Sequence, residues 1–137
     1  MLKSPEQVLK HRIETTPALA LLLGFRTYPV LAPMSASLPF VTYQRAIIER
    51  NQTLTVPVGV PRVSVEMSTY AATYEAAREV ADGLRSALDG FRGSAYGVDV
   101  EHVALDSERD GFVQLDGSEL PPVYQITQTF DVAWQET

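Results

Sequence analysis

The chain has no cysteine. That excludes a disulfide framework, a thiolate zinc site, a thiol nucleophile and thioredoxin-type redox chemistry. Cationic side chains are scarce too: 11 lysines and arginines stand against 17 aspartates and glutamates, a net charge of −6. A non-specific nucleic-acid binder needs the opposite balance to neutralise phosphates. Long apolar runs are missing as well. The longest is Ala18 to Leu23, whereas a bilayer span takes about 20 residues. The start, Met1-Leu2-Lys3-Ser4-Pro5-Glu6-Gln7, lacks the apolar stretch and small-residue cleavage site of a signal peptide. The chain therefore reads as soluble, of cytosolic origin and without a membrane partner.

What is present suits a globular protein. The 137 residues are 45% apolar and 20% charged, which argues against disorder. Length predicts a single domain over residues 1–137. A domain of this size buries about 68–70% of the surface exposed by its unfolded chain. Charge is distributed unevenly. Residues 1–98 carry ten basic and eight acidic side chains, whereas residues 99–137 carry Arg109 alone against nine acids.

Ser4-Pro5-Glu6-Gln7 reads as a helix start with a Ser-x-x-Gln capping box. The helix is expected to run to about Glu14, with Val8, Leu9 and Ile13 inward. Thr16-Pro17 restarts a short helix that Gly24 stops. Arg26 to Val30 reads as a short edge strand. Pro29, Pro33 and Pro39 then stiffen an irregular connection. Phe40 to Glu49 is a strand by composition. Val63, Val65, Met67 and Thr69 alternate with Arg62, Ser64, Glu66 and Ser68, the period of a half-buried strand. Between these strands, residues 50–61 can form a long hairpin arm.

Residues 73–89 form the clearest helix. Thr73 caps it, and Ala77, Val80, Ala81, Leu84 and Leu88 share one face. Arg78–Asp82 and Arg85–Asp89 stand at i,i+4 spacing. Gly83 costs about 1 kcal/mol in a helix interior, tolerable where the helix lies close on a sheet. Val98 to Leu105 is the next strand, and residues 106–122 read as a long acidic loop. Tyr124, Ile126, Gln128, Phe130, Val132 and Trp134 alternate with polar neighbours in the final strand. The predicted class is α+β: a small, mostly antiparallel sheet flanked by an N-terminal helix and a longer central helix.

No string of residues carries recognisable chemistry. Ser107, His102 and Asp106 do not make a triad, because strand neighbours on opposite faces cannot converge and no Gly-x-Ser-x-Gly elbow presents the serine. The glycines of Gly90–Gly97 follow a helix and precede a strand, the reverse of a phosphate-binding loop. Asp106-Ser107-Glu108-Arg109-Asp110-Gly111 begins like a calcium loop, but its twelfth position is Gly117 where a bidentate glutamate is required. A solvated acidic segment is the better reading. The aromatic residues fall at core or half-core positions, not interleaved with a basic patch. No catalytic residue, metal ligand or cofactor site is expected. The chain reads as an interaction or assembly protein, with the arm at 50–61 and the segment at 106–122 as candidate contact regions.

The order of several short motifs is informative. After the first helix come Arg26-Thr27-Tyr28-Pro29, Ala32-Pro33 and Leu38-Pro39-Phe40-Val41-Thr42-Tyr43-Gln44. Then follow Ala71-Ala72-Thr73-Tyr74-Glu75-Ala76-Ala77, Leu88-Asp89-Gly90-Phe91-Arg92-Gly93, the acidic segment and the closing alternating strand. In this order the chain, from about residue 5 to residue 135, resembles the small tail completion proteins of long-tailed bacteriophages. These are also called tail terminator or head–tail joining proteins, and they occur in prophages and gene-transfer particles. The resemblance implies a non-enzymatic virion component at the head–tail junction, assembled in the bacterial host cytoplasm. It implies a ring, commonly hexameric, that caps the tail tube, ends its polymerisation and docks to the head connector. The implied partners are further copies of the chain, the tail tube protein and the connector or stopper, with DNA passing through without specific binding. Another neck or tube-like subunit is the alternative, followed by a small ligand-binding protein or enzyme. Expected partner or channel contacts are Arg50, Arg62, Asp106, Glu108 and Asp110. Part of the acidic surplus is expected to line the channel, where a wall that does not hold phosphate lets DNA slide.

Overall fold

The structure, a computed structural model, describes residues 4–33, 36–47, 62–113 and 123–136. Pro5 supplies a preset φ to open α1 (Pro5–Thr15), a favoured use of proline at a first helical position. The expected capping box does not form. Ser4 makes no side-chain cap bond, and its buried hydroxyl has no hydrogen-bond partner among the described residues. Its carbonyl accepts from the Gln7 amide at 3.2 Å instead. Val8, Leu9 and Ile13 face inward as their spacing requires. Thr16 breaks the helix, and α2 (Pro17–Leu23) follows until Gly24, whose φ of 58° ends it.

Six strands form one sheet in the order β1-β2-β3-β6-β5-β4. They are β1 (Thr27–Pro29), β2 (Phe40–Ile47), β3 (Arg62–Ala71), β4 (Gly93–Ala95), β5 (Val98–Val113) and β6 (Val123–Glu136). The sheet is mixed, which corrects the expectation of a mostly antiparallel one. β1 runs parallel to β2, whereas the other four pairings are antiparallel. The proline-bearing connection from residue 30 to residue 39 carries the chain back to start β2 at the same end as β1. Parallel neighbours need such a return, and a two-residue hairpin cannot supply it.

A second correction concerns residues 106–113. They are strand, not loop: β5 continues to Val113 and pairs with β6 along its whole described length. Only residues 114–122 of the expected loop, with the arm at 50–61, lie outside the described residues. β5 carries two irregularities, between Val100 and His102 and between Leu105 and Ser107. Each inserts one residue and re-aims the side chains beyond it.

The core forms between one face of the sheet and the helices. Val63, Val65, Met67, Phe130, Val132, Val100 and Val103 meet Leu9, Ile13, Leu19, Leu23, Leu84 and Leu88. α3 (Tyr74–Leu88) presents the predicted apolar stripe, and the Thr73 hydroxyl accepts from the Ala76 amide at 3.2 Å. Gly83 is explained by a helix, not by the sheet. A Cβ there would stand 2.7 Å from Leu19 Cδ2 on α2. Leu19 is fully buried, so it has little room to retreat. Gly83→Val should therefore destabilise the fold by about 1–3 kcal/mol, the range for overpacking a filled core. Urea unfolding monitored by circular dichroism measures this, and an unchanged midpoint would refute the close α2–α3 contact.

Candidate interaction surfaces

The acidic strand and α3 share a polar network. On the helix side of the sheet, Glu108 lies opposite Gln128 and Asp110 opposite Ile126. Arg78, one turn into α3, reaches down between them. Its guanidinium donates to Glu108 Oε1 and, at 3.1 Å, to Asp82 Oδ1, and it lies 3.6 Å from Asp110 Oδ1. The Tyr74 hydroxyl donates to Asp110 Oδ2 at 2.9 Å. Gln128, fully buried, donates through Nε2 to the Ala81 carbonyl and to Glu108 Oε1, both at 3.0 Å. Partial burial opposes the Arg78 charge, but Glu108, Tyr74 and Asp82 outweigh it and raise the pKa above its ordinary value.

This arrangement relocates two of the predicted contact residues. Glu108 and Asp110 hold β5 to α3 on the helix side of the sheet. Asp106 is exposed at the second irregularity of β5. Arg62 is exposed at the start of β3, opposite Ala133. Arg50 lies outside the described residues. The structure brings Glu108 and Asp110 together but leaves Asp106 and Arg62 apart on different strands. Sequence reasoning missed Tyr74, Arg78 and Gln128 as a group. The available signal was Gln128 itself, a polar residue at an inward position of an otherwise apolar alternation, which demands a buried partner. Of the two i,i+4 pairs foreseen on α3, Arg78–Asp82 forms, whereas Asp89 accepts from the Leu105 amide at 3.1 Å.

The opposite face of the sheet carries Thr42, Gln44, Ser64, Glu66, Ser68, Gln125, Thr127, Thr129 and Asp131, together with Phe40, Tyr70, Arg62 and Arg109, by alternation with the core positions. The described helices pack on the other side. A depression of about 130 Å³ on this face is lined by Glu66, Ser107, Arg109, Thr127 and Thr129, with Glu108 at its border. Small-molecule sites usually occupy about 300–1,000 Å³. Among the described residues no cluster of three or more His, Asp or Glu side chains is placed to hold a metal, and no helix is long and apolar enough to cross a membrane.

Comparison with protein families gives a match to the model described as "Tail completion protein gp17", over residues 7–132. The chain belongs to that family. The tail completion protein is thus a structural bacteriophage tail component of the virion, from a family that is not one of enzymes. Its fold is similar to that of a chain from a solved structure titled "Virion of native gene transfer agent (GTA) particle". The TM-score is 0.70 at 14% identity, over 92% of this chain and 90% of the other. Comparison with curated protein sequences gives no match.

Proposed function

We propose that this tail completion protein forms a ring, commonly hexameric in such families, at the head-proximal end of the tail tube. The ring ends tube polymerisation, docks to the head connector and leaves a channel for DNA. The observation that supports this reading is the open sheet face. Most of its side chains carry hydroxyl or amide groups, with Glu66 and Asp131 beside Arg62 and Arg109, and the stacked rings of Phe40 and Tyr70 lie toward one end. A wall of that kind wets easily and offers phosphates no row of lysine or arginine, so it suits passage without adhesion.

Acidic residues contribute to the same property where they are free. Glu108 and Asp110 are both engaged by Arg78, so reversing them would disturb folding as well as any channel. Asp106 is the clean probe, because it is exposed and makes no ion pair among the described residues. Asp106→Lys should leave thermal stability within about 0.5 kcal/mol, as for surface changes generally, while lowering the yield of joined, infective particles. Equal infectivity would remove Asp106 from the channel or docking face. Electron microscopy of the purified protein mixed with its tail tubes tests the wider reading. Caps at one tube end are expected; incorporation along the tube would point to a tube-like subunit instead.

A further inference from the structure

Two groups of exposed apolar side chains lie on opposite edges of the sheet. Phe25, just before β1, is 81% exposed; Val30 and Leu31, just after it, are 65% and 81% exposed, and Leu21 on α2 is 89% exposed. Near the β5 edge, Phe112 is 65% exposed, with Tyr124 opposite it on β6 and Tyr74 stacked on Tyr124 at a ring-centroid distance of 6.3 Å. Side chains this large and this exposed, gathered along an edge, mark contact surfaces. The two groups are unlike: one is mostly aliphatic, the other mostly aromatic, with Val113 next to Phe112 also exposed.

Their relative height follows from strand register. Thr27 lies beside Val41, Val41 opposite Thr69, Thr69 opposite Ile126, and Ile126 opposite Asp110. Phe25 comes two residues before Thr27, and Phe112 two residues after Asp110. Because β1 and β5 run in opposite directions, both lie beyond the same end of that row. They are thus level along the strands and four strand spacings, about 19 Å, apart across the sheet. Two unlike surfaces at one level on opposite edges can meet through rotation about an axis along the strands, the operation that closes a ring.

Charge is complementary across the same pair. Among the described residues Arg26, next to Phe25, donates only to the backbone carbonyls of Leu22 and Pro39, whereas Asp110, two residues from Phe112, keeps its carboxylate largely exposed; Arg45 on β2 is already paired with Glu6. The outer side of β5 is also free to receive a neighbour. β4 covers only Val98–Val100, and beyond it Gly90 and Asp89 bond to Val103 and Leu105. No described strand pairs with that side of residues 106–113.

Resting on the ring reading above, we propose that the β1 edge around Phe25 of one copy docks on the aromatic β5–β6 end around Phe112 and Tyr124 of the next. The contact is heterologous, a head-to-tail meeting of two different faces.

Because the chain has no native thiol, cysteine cross-linking reads this directly. Phe25→Cys and Phe112→Cys variants are each assembled on tail tubes, alone and as a mixture, then treated with a short bismaleimide. A covalent dimer should appear in the mixture and be absent from either variant alone. A Phe25→Cys/Phe112→Cys double variant should give a ladder of higher species. Dimers from one variant alone would overturn the proposal, since they mean like faces meet. So would a Phe112→Cys thiol that resists maleimide in the isolated monomer, which means the chain covers this patch itself. Unmodified protein on the same tubes, followed by native mass spectrometry, separates the two levels. Self-association without cross-links overturns this pairing only, whereas failure to self-associate overturns the ring reading with it.

Discussion

Replacing Phe130 by alanine should cost about 3–5 kcal/mol, the range for removing a buried aromatic ring. Phe130 is fully buried in the middle of β6, with Val65 opposite it on β3 and Leu105 opposite it on β5. The ring joins the two longest antiparallel pairings at the level where α3 covers them, so its loss leaves a cavity bounded by strands on both sides. Backbone pairing holds those strands in place and limits collapse, which puts the expected loss toward the upper part of the range. Domains of this kind are stable by about 5–15 kcal/mol in total, so the variant should lose a fifth or more of its stability. Urea unfolding followed at the single tryptophan, Trp134, measures it. Phe112→Ala is the control: at 65% exposure it should change the midpoint little. A Phe130→Ala loss below about 1 kcal/mol would mean that the core is not organised around β6.

The same strand shows what the sequence makes legible. β6 was readable because Ile126, Phe130 and Val132 face a hydrophobic layer, and their period of two is visible without any partner. α3 was readable for the same reason at the helical period, through Ala77, Val80, Ala81, Leu84 and Leu88. The far half of β5 was not. There the helix-facing positions are Glu108 and Asp110, whose burial partners are Arg78, Tyr74 and Gln128 on other elements. Alternation is present, but it is an alternation of polar groups, and polar alternation reads as a loop until the partners are known. The direction of β1 was hidden differently. Thr27–Pro29 looks the same as an edge strand of either sense, and the path of residues 30–39 decides which it is.

The charge asymmetry changes meaning for the same reason. Nine acids after residue 98 suggested an acidic surface. Within β5, however, Glu108 and Asp110 are occupied by Arg78, Asp99 accepts from the Ser94 hydroxyl, and Glu101 accepts from Gln135 at 2.9 Å. On β6, Asp131 accepts from Ser64 at 2.9 Å. The carboxylates of these two strands are largely committed to local bonds that neutral donors or Arg78 supply. Asp106 is the exception that the bulge turns outward. These bonds fix the carboxylates in place without removing their charge, so the two strands present negative charge held in defined positions and few cations.

Arg78 is where that economy of charge is most exposed to mutation. Arg78→Met keeps the length and the apolar stem of the side chain and removes its charge and donors. Glu108, Asp82 and Asp110 would then face one another with only Gln128 and Tyr74 donating to them. Hydrogen bonds to charged groups contribute about 1.5–3 kcal/mol. With the Arg78 side chain 30% exposed, water replaces part of the loss, so about 2 kcal/mol is expected. Much of this penalty is the stranded Glu108 carboxylate, not the absence of an attraction. Glu108→Gln in the Arg78→Met background should therefore recover stability, whereas Glu108→Gln alone should lose it. That sign reversal in a double-mutant cycle separates a coupled ion pair from two independent contributions. Hydrogen exchange should localise the damage, with faster exchange in residues 106–113 and little change around Phe130. Additive losses in the cycle, or unchanged exchange in that segment, would show that Arg78 does not hold the strand.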